Sequence, residues 1–231
     1  LKIVLLAGPS SSGKTTTSKK LCMFLRSFGV NPAVISMDDY FVEREETPLN
    51  EEGKPDYECL EAVDLKLFDN QIEKILKGEE VVTPTYNFLT GNKEYNNKIK
   101  LGNSDVLVIE GIHALDKRVL TNISKNKIFR IYISALTELN IDNHNYISTT
   151  DNRLLRRIIR DNKTRGHGVQ KTISTWPDVR SGEEKYIFPY QDNADYTFNS
   201  ALIYEIGVLK TYAEPLLYAV DPSDSCYEEA K

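Results

Sequence analysis

The chain has 231 residues, 40% hydrophobic and 27% charged, with a formal net charge of −5. That size suits one large α/β domain, or one domain with an inserted lid, and the acidic balance excludes a molecule built to coat nucleic acid. Cys22, Cys59 and Cys226 are widely spaced, and His113, His144 and His167 lack ligand spacing, which argues against a disulfide framework or a zinc site. No apolar run approaches the length of a membrane span and no signal peptide is visible, so a reducing, cytoplasmic location is expected. Leu1 already lies in the first expected strand with no initiator Met, which predicts a fragment cut from a longer protein.

Ile3-Val4-Leu5-Leu6-Ala7 is an unbroken apolar run of strand length and predicts a buried strand. It leads into Gly8-Pro9-Ser10-Ser11-Ser12-Gly13-Lys14-Thr15, a match to G-x-x-x-x-G-K-[ST]. The glycines let the backbone fold tightly enough for successive N–H groups to point at an anion, and the positive end of the next helix dipole meets the same spot. These eight residues and Thr16 are the expected triphosphate site, with Lys14 at the β and γ phosphates and the Thr15 hydroxyl on Mg²⁺. Leu21, Phe24, Leu25 and Phe28 predict the buried face of the helix, Gly29 its stop, and Cys22 a small packed residue.

Residues 33–37 predict a second strand that ends in Asp38-Asp39-Tyr40-Phe41. Ligands of an open parallel sheet sit beyond the carboxyl ends of its strands, so two acids there suggest catalysis or metal binding. Residues 47–57 read as a loop. Val63, Leu67, Phe68, Ile72, Ile75 and Leu76 mark a helix closed by Gly78. Residues 81–88 and 95–101 flank Thr90-Gly91-Asn92, a hairpin signal in which Pro84 marks an edge strand. With Tyr86 and Phe88 on it, the hairpin either lies on the core or lines a pocket with its aromatics. The run 105–111 predicts a third core strand, and Glu110 at its end stands where nucleotide-binding folds of this type carry an acid beside Mg²⁺. Strands are also expected over 128–133 and 194–199, and a helix over 202–217 whose end Pro215 disturbs. The acidic segment 221–231 is expected to fray.

Residues 150–168 combine Leu154, Leu155, Ile158 and Ile159 on one helical face with Arg153, Arg156, Arg157 and Arg160 on another. Like charges at those spacings cost an isolated helix about 0.2–0.5 kcal/mol per pair, so something negative must offset them. The candidates are carboxylates such as Asp151 and Asp161, or phosphates, which the planar guanidinium fork suits. Lys163 and Arg165 extend the basic patch to Gly166-His167-Gly168, a flexible stop.

Taken together the chain resembles the phosphoribulokinase and uridine kinase family of P-loop kinases from Leu1 to about Leu217. The resemblance rests on the loop at 8–15, Ser-Met-Asp-Asp-Tyr-Phe at 36–41, Pro-x-Tyr-x-Phe at 84–88, Ile-Glu-Gly at 109–111 and Asp-x-Arg-Leu-x-Arg-Arg at 151–157. It implies a three-layer P-loop fold: a parallel sheet of about five strands, helices on both faces, an inserted β-hairpin and an Arg-rich helical lid. The kinase domain would span 1–220, with an acceptor-side hairpin over 81–101 and a lid region over 150–190. Asp38 would accept the proton of the attacking hydroxyl and, with Thr15 and Glu110, stand on the Mg²⁺ side. Lys14, Arg153 and Arg157 would serve the transferring phosphoryl group. Tyr40, Glu58, Tyr86, Phe88 and Arg153 would form the acceptor site, Glu58 standing where nucleoside kinases carry an Asp for ribose hydroxyls. The chain departs from uridine kinases at Tyr57-Glu58-Cys59-Leu60, where they show Phe-Asp-His-Pro, and at Leu89-Thr90-Gly91, where they place a base-contacting His. The segment 176–190 resembles a bacterial subgroup in which such a kinase follows synthetase-like N-terminal domains.

The implied activity is phosphoryl transfer from ATP or GTP, with Mg²⁺, to a hydroxyl of a small acceptor: a uridine- or cytidine-like nucleoside, or a ribose-type phosphosugar. A homo-oligomer is compatible with this; direct binding of nucleic acid or membrane is not expected. The rival readings are a nucleotide hydrolase or switch, and a non-catalytic nucleotide-sensing module with a decayed acceptor pocket.

Overall fold

The computed structural model describes residues 1–88, 90–138, 140 and 142–231; Leu89 of the expected hairpin turn lies outside them. In chain order the elements are β1 (Ile3–Ala7), α1 (Lys14–Ser27), β2 (Pro32–Ser36), α2 (Leu65–Leu76), β3 (Val81–Asn87), β4 (Asn92–Ile99) and β5 (Val106–Glu110). Then come β6 (Ile128–Ser134), α3 (Thr149–Arg160), α4 (Val169–Ser174), α5 (Trp176–Tyr186), β7 (Tyr196–Asn199), α6 (Glu205–Tyr218) and α7 (Tyr227–Ala230). The five expected core strands all form, with ends shifted by no more than two residues.

Those strands make one parallel sheet in the order β2-β5-β1-β6-β7. Parallel strands require crossovers that cover both faces, so their sequences must be apolar on both sides. Alternate residues of β1 show the result. Val4 and Leu6 pack with Cys22 of α1, while Ile3, Leu5 and Ala7 pack with Phe68, Ile72 and Ile75 of α2. The register sets Ser36, Glu110 and Leu6 side by side on β2, β5 and β1, so the loops after these three strands open onto one edge.

The α1 face differs from the sequence expectation. Ser18 and Cys22 are its buried residues, with Leu21 and Leu25 partly buried on the same cluster. Phe24 and Phe28 are 65% and 82% exposed. Glycine sets the entry angle: Gly13 precedes α1 with φ 91°, and the helix docks through its small residues. In α2 the start is fixed by Asp64, whose carboxylate accepts the Leu67 N–H at 3.0 Å; Val63 lies before the helix, bridged to Phe41. The β3–β4 hairpin is antiparallel with an irregularity at Thr83/Pro84, where proline cannot donate to a ladder. Its Val81 and Tyr86 enter the main core, so the hairpin both lies on the core and presents aromatics.

Three further corrections concern the C-terminal third. Residues 176–186, unassigned from sequence, form α5. The last long helix begins at Glu205, leaving Leu202 and Ile203 in an exposed turn, and it runs through Pro215 to Tyr218. The acidic tail does not fray. Val220, Cys226 and Ala230 are buried with Leu154, Ile158, Val169, Ile173, Trp176 and Val179 in a cluster separate from those on the sheet. No helix among the described residues is long and apolar enough to cross a membrane.

Candidate active site

The loop after β1 is held tightly. Gly8 has φ 153°, and a Cβ there would sit 2.0 Å from the Ile133 carbonyl oxygen, so only glycine passes β6 at this height. Ser11 is left-handed at φ 58°, an uncommon state for a non-glycine residue. Lys14 Nζ donates to the carbonyls of Gly8 at 2.9 Å and Pro9 at 3.2 Å. Among the described residues the buried Ser11 and Ser12 hydroxyls find no partner, unused polar capacity that suits an anion bound at the loop. Ser10, Ser11, Gly13, Lys14, Thr15 and Thr16 line a cleft of about 2400 Å³; Gly8, Pro9 and Ser12 stand behind it.

Carboxylates of neighbouring strands face that loop. Glu110, 7% exposed, accepts the Thr15 hydroxyl at 2.9 Å and the Ser36 hydroxyl at 3.3 Å. Burial raises its pKa above the usual carboxylate range, with Asp38 adding and Lys14 opposing. Burial in turn lowers the Lys14 ammonium, against the pull of Glu110 and Asp38. Asp38 sits half-buried on the 3-10 turn Met37–Tyr40, lines the cleft, and makes no hydrogen bond to protein among the described residues. Its neighbour Asp39 turns the other way and accepts the Tyr86 N–H at 3.2 Å, which anchors the hairpin. Among the described residues no three His, Cys, Asp or Glu side chains gather as a metal cage. A hydroxyl with one or two carboxylates instead fits Mg²⁺, which keeps waters and shares phosphate oxygens.

Aromatic rings line the same cleft. Phe41, Tyr86 and Phe88 stack edge to face, with ring centroids 5.2–6.3 Å apart, and Tyr57 joins at 6.3 Å from Phe41. Phe41 and Tyr57 were not singled out from the sequence; the signal was their place beside Asp38 and Glu58. Tyr40 is corrected. It is 0% exposed, packs edge-on against Phe68 and donates its hydroxyl to Gln71 at 2.8 Å, so it is a core residue that faces away from the cleft. The short turn after β2 sends adjacent side chains to opposite sides.

Glu58 lines the cleft half-buried, and Gly182 of α5 makes room for it: a Cβ at Gly182 would lie 2.5 Å from the Glu58 Cβ. Its carboxyl is pushed up to about 7 by burial, with Glu183 and Asp38 adding and Arg157 and Lys14 opposing. Between the unfolded value of about 4.3 and this one, the native carboxyl keeps a proton that the unfolded chain has lost. The unfolded state then binds fewer protons, so this group's contribution to stability falls as pH rises across that window and is flat above it. The thermal midpoint of the wild type is expected to fall relative to that of Glu58→Gln between about pH 5 and about pH 7. Parallel midpoint curves for the two proteins would remove Glu58 from the pH response.

The arginines divide. Arg156, Arg157, Arg160 and Arg165 line the cleft. Asp161, 1% exposed, lies 3.3 Å from Arg157, 2.7 Å from Arg160 and 3.8 Å from Arg165. One carboxylate thus serves three guanidinium groups, which leaves a positive surplus. Arg157 also donates to the Ser10 hydroxyl at 2.7 Å, and Arg165 sits over the Phe88 ring at 5.2 Å, reaching across from the helical segment to the hairpin. Arg156 pairs with Glu205 and donates to the Ser11 and Ser200 carbonyls at 3.3 and 3.0 Å. Arg153 does not reach the cleft. It is 1% exposed and forms a two-pronged ion pair with Glu183, a residue thirty positions away to which the sequence reading gives no site role.

Comparison with known proteins identifies the family and the fold. The profile of the phosphoribulokinase / uridine kinase family matches residues 3–206. Uridine kinases of Staphylococcus haemolyticus (strain JCSC1435) and Staphylococcus aureus (strain Newman) are each 28% identical over 195 residues, covering 84% of this chain and 84% of theirs. Among solved structures, a candidate fructose transport system kinase from Silicibacter sp. TM1040 superposes with a TM-score of 0.59 at 20% identity, covering 85% of this chain and 89% of that one. A candidate P-loop kinase of Saccharomyces cerevisiae with a circular permutation gives 0.55 at 10% identity, covering 86% and 93%.

Proposed function

Because the chain belongs to the phosphoribulokinase / uridine kinase family and is a P-loop phosphotransferase, we propose that it moves the γ-phosphate of ATP to a hydroxyl of a nucleoside or ribose-type phosphosugar. The observation that carries this reading is that one cleft is lined by Lys14 and Thr15, by Asp38 and Glu110, and by the rings of Phe41, Tyr57, Tyr86 and Phe88. Phosphate-binding groups, a free carboxylate and an apolar acceptor surface on one cleft are what in-line transfer needs.

In this reading the loop amides and Lys14 hold the triphosphate. Thr15 and Glu110, with Asp38, would hold Mg²⁺, which supplies charge neutralisation across the phosphate oxygens. Asp38 lies open to the cleft and accepts the proton of the attacking hydroxyl. Arg157, Arg160 and Arg165 carry the positive surplus toward the transferring group and spread its charge. The ring cluster offers a flat acceptor an edge and a face, and Glu58 meets its hydroxyls. Arg165 over Phe88 closes the cleft and restricts water, which suppresses hydrolysis of the nucleotide.

The test is a panel of nucleosides and phosphosugars assayed with ATP or GTP and Mg²⁺, scored for nucleoside diphosphate released. ADP release that depends on one acceptor class is the expected result. Release that is equally fast without any acceptor would instead make the protein a hydrolase.

A further inference from the structure

Arg153 and Glu183 have side chains 1% and 0% exposed, and neither lines the cleft. A buried ion pair contributes little net stability, because desolvating both charges offsets their attraction. What this pair does have is a grip on the loop. Glu183 Oε1 accepts the Ser10 N–H at 3.0 Å, and Arg153 Nη1 donates to the Ser10 carbonyl at 3.0 Å. The peptide groups on both sides of the Ser10 Cα are therefore fixed by the two halves of one ion pair. The remaining contacts brace the pair. Arg180 Nη1 meets Glu183 Oε2 at 3.0 Å, and the Trp176 ring lies 5.4 Å from the Arg153 guanidinium carbon. Beyond Ser10 the loop backbone is also held by Arg156 on the Ser11 carbonyl and by the Ser200 hydroxyl on the Ser12 carbonyl.

We propose that Arg153 and Glu183 are positioning residues for the nucleotide: they hold the Ser10 peptides so that the phosphate loop is already shaped when the triphosphate arrives. This rests on reading that loop as the nucleotide site. It separates Arg153 from Arg157, Arg160 and Arg165, which face the cleft. A loop shaped in advance binds more tightly because its ordering is not charged to the binding step. A pair that only stabilised the fold would change how much protein is folded, not how tightly the folded molecules bind.

The experiment titrates the full chain with a fluorescent N-methylanthraniloyl ATP plus Mg²⁺, in the wild type, Glu183→Gln and Arg153→Lys. Each protein is held well below its own thermal midpoint. Glutamine keeps the acceptor at Ser10 but not the charge, and lysine keeps the charge but not the fork. Both variants are expected to bind about tenfold more weakly or worse, the worth of a charge-assisted hydrogen bond. Affinity within twofold of wild type, or tighter, in the folded variants overturns the proposal. Failure of the wild type to bind would instead count against the nucleotide site itself. Should the variants not fold, amide exchange in the nucleotide-free wild type decides. A slowly exchanging Ser10 N–H supports the clamp, and exchange at the rate of an open loop overturns it.

Discussion

Asp38→Asn is expected to leave nucleotide affinity within about twofold of wild type while cutting turnover by about 10²–10⁴, the usual worth of a general base. The substitution conserves shape, and Asp38 makes no protein hydrogen bond among the described residues that the amide would disturb. What it removes is the ability to take a proton. It also removes one negative charge beside Lys14 and Glu110, and the lower repulsion toward the triphosphate offsets the weaker hold on Mg²⁺ that Thr15 and Glu110 would still provide. The measurement is kcat with a saturating acceptor, alongside a fluorescent-ATP titration. Turnover equal to wild type would take Asp38 out of the chemistry.

Lys14→Ala is expected to weaken both steps: nucleotide affinity by about tenfold or more, and rate by about 10²–10³, the scale seen when one preorganised stabiliser of developing charge is lost. Two features of the structure set this apart from the loss of a surface lysine. The ammonium is the positive counterpart of Glu110 and Asp38, so its removal leaves their carboxylates uncompensated beside an incoming polyanion. It also ties the carbonyls of Gly8 and Pro9, so the alanine variant loses part of the loop's internal bracing. Affinity and rate both unchanged, in a variant with a wild-type thermal midpoint, would argue that the loop does not hold the phosphates.

Much of the frame was legible because it is written in local pattern. The β1 run, the glycine-bounded loop and the next helix are contiguous, and the sheet edge then fixes where Asp38 and Glu110 must lie. What could not be read depends on partners distant in sequence. Arg153 and Arg157 lie four residues apart on one face of α3, and periodicity cannot rank them. Glu183 decides, by pairing with the first and leaving the second to Ser10 and Asp161. Tyr40 and Phe41 are adjacent aromatics whose fates part because a 3-10 turn, not a strand, carries them: one is sealed against Phe68 and the other joins the ring cluster. On α1, the large Phe24 and Phe28 suggested burial, but the face turned to the sheet is the one that carries the small Ser18 and Cys22. At and beyond the start of the tail, Val220, Cys226 and Ala230 are too sparse for any period, and only the apolar surface they cover reveals them.

That covered surface ties the terminus to α3. The greasy contacts of the arginine-bearing helix run to the chain's last eleven residues, and they share no member with the clusters that hold the sheet. A change within residues 221–231 would therefore reach the helix that carries the guanidinium groups before it reaches the sheet.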